Sequence, residues 1–179
     1  MVVSSNFSEC LTENLDKTVI NVVKLLERKN LTIATAESCT GGLLSELITS
    51  VSGASAVFEL GICTYSERIK TEFLGVPTEV IQEFGVVSEQ TAMSMVSGLK
   101  KCSGADVCVS VTGIAGPSGG TAQQPVGTVY IGFDICGKQF VRLPELWKIN
   151  DTSREHIRKC AAAYAFHTIE KMLMEANSY

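Results

Sequence analysis

Val107-Cys108-Val109-Ser110-Val111-Thr112-Gly113-Ile114-Ala115-Gly116-Pro117-Ser118-Gly119-Gly120 is the stretch around which the chain is organised. Its first five residues are β-branched or small and apolar, the pattern of a strand buried on both faces. The run stops at Thr112-Gly113, and glycines and a proline crowd the next residues. Thr112 is therefore expected at the carboxyl end of a central strand, where open α/β sheets bind ligands. Glycines without a Cβ let backbone amides come close to such a ligand. The same stretch also reads as a long connection between two strands.

Working outward, Leu31 to Ala36 is expected as another strand. Glu37-Ser38-Cys39-Thr40-Gly41-Gly42 then turns into an apolar helix over 43–49, a unit that aims amide groups at an anion. It matches neither the dinucleotide fingerprint nor the P-loop. Upstream, apolar residues at helical spacing predict a helix from Thr12, as N-cap, to about Lys29. Downstream come a strand over 57–65, helices over 67–74 and from Pro77 to Phe84, and a helix to about Lys101 capped by Ser88. A hairpin over 128–143 and a long helix from Asp151 to Met174 complete the order. Strands alternating with helices predict an α/β fold: a three-layer α/β/α sandwich on a mixed, mostly parallel sheet of about five strands. Residues 1–11 read as a loose segment before a single domain over 12–175.

Charged residues make up 19% of the 179, apolar residues 45%, and the net charge is −4. That balance carries no basic footprint for nucleic acid. No window approaches the ~20 apolar residues of a membrane span, and no charged n-region precedes an apolar run. A cytoplasmic protein is expected. Seven cysteines without a CxxC pair suggest reduced thiols. Cys63, Cys108 and Cys136 fall in apolar runs and are expected to pack as small hydrophobes. His156 and His167 are roughly 16 Å apart along one helix, so no metal-ligand cluster is expected.

Histidine is missing from the glycine-rich stretches, which argues against a Ser-His-Asp triad. Burial can turn a lysine into a base, and Ser-Lys pairs are a known activated nucleophile. Lys70 follows Tyr65 across a strand–helix junction, and Ser55 sits in the turn before the same strand. These three could share one cleft, or could be a solvated lysine, a core-edge tyrosine and a turn serine. Arg154 and Arg158 occupy one helix face and suit a phosphate, a carboxylate or a pairing with Glu155.

The sequence resembles the C-terminal domain family of the competence/damage-inducible protein CinA, whose stand-alone members are nicotinamide-nucleotide amidases. The resemblance lies in Thr35–Leu43, Gly53-Ala54-Ser55, Thr64-Tyr65-Ser66 with Lys70, Gly85–Glu89, and Val111–Pro117 with Gly119-Gly120 and Pro125-Val126-Gly127. It implies hydrolysis of the carboxamide of nicotinamide mononucleotide to nicotinic acid mononucleotide and ammonia. No metal, no cofactor and no membrane or nucleic-acid partner are implied, and a homo-oligomer is. Carried over by residue, Ser55 matches the nucleophile, Lys70 its base, and Tyr65 the group beside them. Ser38, Thr112 and Arg154 match further site positions, and the turns place Thr40, Gly41, Gly42, Gly113 and Gly116 as substrate-binding candidates. Glu59-Leu60, Gln124 and Thr152-Ser153 depart from the family pattern. A non-catalytic nucleotide-binding module and a hydrolase of another small amide are the alternative readings.

Overall fold

The structure is a computed structural model that describes residues 12–175. The segment 1–11, expected to be loose, lies outside the described residues.

Five strands, β1 Ile33–Glu37, β2 Phe58–Cys63, β3 Val107–Gly113, β4 Val129–Ile135 and β5 Lys138–Arg142, form one sheet in the order β2-β1-β3-β4-β5. β1 pairs in parallel with β2 and β3, whereas β4 and β5 continue as an antiparallel hairpin. β1, β2, β3 and β5 thus run one way and β4 the other. Helices α1 Leu15–Lys29, α2 Leu43–Thr49 and α6 Arg154–Glu175 cover one face. Helices α3 Glu67–Leu74, α4 Thr78–Phe84 and α5 Glu89–Ser103 cover the other. The expected three-layer sandwich is what the chain forms. β1 and β3 lie between the helical layers, which is why they read as unbroken apolar runs.

Most boundaries shift by one or two residues, as fraying ends do. Asn14 rather than Thr12 occupies the N-cap position of α1. Ser88 caps α5 as expected, its Oγ accepting from the Thr91 amide at 3.1 Å. Two cysteine expectations fail: Cys63 and Cys136 are exposed, on an edge strand and in the β4–β5 turn, while Cys108 is buried.

The start of α2 has an unusual cap. Gly42 stands at the N-cap position and offers no side chain. Glu37, the wholly buried last residue of β1, supplies the acceptors instead. Its Oε2 accepts from the amides of Gly42 and Leu44 at 3.0 and 3.1 Å. Its Oε1 accepts from the amide and the hydroxyl of Ser45, both at 2.9 Å. A Cβ on Gly61 of β2 would stand 2.5 Å from Ser45 Oγ, so glycine is required there.

Candidate active site

The carboxyl ends of β1, β2 and β3 open into one cleft. Lys70 lies behind its Ser38 wall, carried by α3, a short helix opened by Ser66, whose Oγ accepts from the Ile69 amide, and closed by Gly75 in the left-handed conformation. The Lys70 side chain is wholly buried. Its Nζ donates to the carbonyls of Thr64 at 2.7 Å and Tyr65 at 3.2 Å, and lies 3.1 Å from Ser38 Oγ. Burial disfavours the ammonium and brings the Lys70 pKa down to about 8, against the opposing pull of Cys39 and Glu67. A neutral amine has two N–H groups and one lone pair. With both N–H groups held by carbonyls, the lone pair is left for the Ser38 hydroxyl proton. Ser38 itself is fixed across the sheet by its amide, which donates to Val111 O at 3.0 Å.

The cleft beside this pair has a volume of about 320 Å³. Ser38, Tyr65, Thr112, Gly113, Gly116 and Arg154, each named as a candidate from the sequence, line it. Arg154 spans its mouth, donating to Gly116 O at 2.8 Å and to Tyr65 Oη at 3.4 Å. Val86 and Val87 form another wall that sequence reasoning missed. The carbonyls of this strap are held from three directions. Ser88 and Thr91 hydroxyls donate to Gly85 O, Thr112 Oγ1 to Val86 O at 2.8 Å, and Gln124 Nε2 to Val87 O at 3.0 Å. Thr112 is thus already engaged as a donor, and only its oxygen lone pairs remain for a ligand. The signal for the strap was present in its position, immediately before a helix that opens at the ligand end of the sheet.

The structure does not bring Ser55 to Lys70. Ser55 lies in a 3₁₀ turn, Ala54–Ala56, before β2, and Lys70 lies after it. β2 is parallel to β1, with Phe58 opposite Ile33 and Cys63 opposite Glu37. Its six residues carry the chain about 20 Å, from one end of the sheet to the other. Ser55 borders a shallow groove with Thr49 and Phe58 instead. Thr40, Gly41 and Gly42 stand behind the cleft wall rather than in it. Thr40 is wholly buried, and its carbonyl accepts two bonds from Arg158, at 2.6 and 3.2 Å. Arg158 is therefore a brace of this loop, while Glu155 pairs with Lys159. The glycines at 113, 116 and 120 also have a packing reason beside the expected one. Cβ atoms there would strike Thr128 O, Val126 Cγ1 and Val126 N at 2.7, 2.6 and 2.8 Å, so the loop needs them to pack on itself. Among the described residues no group of His, Cys, Asp and Glu is arranged to hold a metal ion, and no helix is long and apolar enough to cross a membrane.

Residues 15–173 match the CinA C-terminal domain family. The chain belongs to that family. A CinA-like protein of Kosmotoga olearia is 45% identical over 162 residues, covering 90% of this chain and 38% of the relative. A CinA-like protein of Thermotoga neapolitana is 53% identical over 154 residues, covering 86% of this chain and 36% of the relative. The chain thus spans little more than a third of the length of these curated relatives. Solved CinA structures superpose over nearly their whole length. The competence/damage inducible protein CihA of Agrobacterium tumefaciens matches with a TM-score of 0.83 and 36% identity, over 92% of this chain and 96% of that one. A CinA superfamily protein of Klebsiella pneumoniae gives 0.84 and 26%, over 90% and 99%.

Proposed function

We propose that this CinA domain is an amidohydrolase that converts nicotinamide mononucleotide to nicotinic acid mononucleotide and ammonia. The observation that carries the reading is the buried Lys70 amine 3.1 Å from the Ser38 hydroxyl beside the cleft. The nucleotide substrate comes from the family resemblance, and the arginine across the cleft mouth suits its phosphate.

In this scheme neutral Lys70 takes the Ser38 proton as Oγ attacks the carboxamide carbon. The carbonyl oxygen becomes an oxyanion. The amide of Cys39, which directly follows the nucleophile and lines the cleft, finds no backbone acceptor among the described residues and is the donor at hand. Lys70 returns the proton to the departing nitrogen, and ammonia leaves an ester on Ser38. Water then attacks that ester, giving its proton to Lys70, and as the C–O bond to Ser38 breaks Lys70 hands this proton to Ser38 Oγ, releasing the acid and restoring both groups. Tyr65 stands at the mouth with Arg154, on the side where the nucleotide enters.

Ammonia release from nicotinamide mononucleotide, measured without added metal, tests the reading. Ser38→Ala and Lys70→Ala are each expected to lower kcat by about 10³-fold or more. Ser55→Ala is expected to stay within about twofold of the parent. Turnover surviving in Ser38→Ala, or lost in Ser55→Ala, overturns the assignment of the nucleophile.

A further inference from the structure

Glu37 is a fully buried acid that the scheme above does not use. Its backbone leads directly into Ser38, and its side chain returns to the far end of the same loop at Gly42. The loop 38–42 is thus closed by one residue that holds both of its ends. Its amides can be accounted for one by one. Ser38 N goes to Val111 O, Gly41 N to Ser38 O and Leu43 N to Thr40 O. Gly42 N, Leu44 N and Ser45 N all go to the Glu37 carboxylate. Among the described residues, the amides of Cys39 and Thr40 have neither a backbone acceptor nor the Glu37 carboxylate, and of the two residues Cys39 lines the cleft. On the same face of the sheet, the Ser45 hydroxyl that donates to Glu37 also meets Thr35 Oγ1 at 2.8 Å. That contact ties the clamp back to β1.

We propose that Glu37 is a positioning residue: its carboxylate clamps the 38–42 loop so that Ser38 Oγ faces Lys70 and the Cys39 amide stays turned to the cleft. The inference rests on Ser38 being the nucleophile. It assigns to Glu37 a task that needs four acceptor directions at once, which an ionised carboxylate has and a carboxamide lacks. In Glu37→Gln one of the two terminal atoms becomes an NH₂ that faces amide donors. The loop then loses about half of its anchors while the shape of the side chain is kept.

The test compares Glu37→Gln with the parent in kcat, KM and the rate at which a sulfonyl fluoride labels Ser38. The expected result is a fall of about 10²-fold in kcat, KM within threefold, and labelling slowed in parallel. In a Ser38→Ala background Glu37→Gln is expected to lower the residual hydrolysis no further, because Glu37 acts through Ser38. Unchanged labelling, a rise in KM with kcat intact, or a full additive loss in the double variant overturns the proposal. If the nicotinamide nucleotide is not the substrate, the labelling arm still reads the clamp, so the two readings fail separately. Should Glu37→Gln not fold, Ser45→Ala removes one of the four bonds and carries the same test. A threefold to tenfold loss of labelling rate supports the clamp, and no change overturns it.

Discussion

Lys70 is the side chain whose ionisation should govern the pH response. Its pKa of about 8 lies below the ordinary 10.5 because burial removes water from the ammonium. The active form is the neutral amine, so kcat/KM should rise with pH, nearly tenfold per unit below 8, and level off above it. At pH 7 about a tenth of the molecules carry the free base. A steady-state profile from pH 6 to 9.5 checks this, and an acid limb centred below 7 would falsify the role of Lys70. Lys70→Arg should show no activity at any point of the profile, since guanidinium does not deprotonate in this range. The same shift links to stability with a definite sign. Between about 8 and 10.5 the unfolded chain binds more protons than the folded one, so folding gains as pH rises through that window. Below 8 both states are protonated and the burial penalty stands in full.

One level up, the elements decide which side chains can meet. The strand–turn–helix unit at 33–49 and the strand ending at Thr112 were legible, because their apolar runs and glycines announce buried strands with turns at one end. Lys70 was legible as a candidate base too, from the shortage of histidine. Its partner was not. Ser55 and Lys70 are close in sequence, but a whole parallel strand lies between them, and it moves the chain across the sheet. The element order held the correction: whatever precedes a parallel strand sits at its amino end, away from the ligand side. The glycine-rich loop has a further role that the sequence hid. Its missing Cβ atoms serve contacts with Val126 and Thr128, which lie too far along the chain for turn chemistry to reveal. A similar close approach positions α3. A Cβ on Gly98 of α5 would come 1.8 Å from the carbonyl of Leu74, at the end of the helix that carries Lys70. Gly98→Ala should therefore cost about 1–3 kcal/mol and lower the melting temperature by several degrees. It should also slow turnover by moving Lys70 off Ser38, which calorimetry and kinetics on the same sample will show.

At the scale of the whole molecule, two helical layers enclose a sheet whose ligand end is finished by parts far apart in the chain. Arg154 reaches Tyr65 over 89 positions, and Arg158 reaches Thr40 over 118. Arg154→Ala should lower kcat/KM for the nucleotide by about 10- to 100-fold, mostly through KM, because two walls of the cleft lose their common brace. Arg154→Lys should recover little, as one ammonium does not make the two divergent bonds of a guanidinium. Substrate saturation curves for the pair of variants decide this. Because both arginines belong to the first turns of α6, a growing chain already carrying Ser38, Lys70 and Thr112 still lacks an assembled site. In the proposed scheme turnover therefore switches on only when α6 has left the ribosomal tunnel and docked against the sheet.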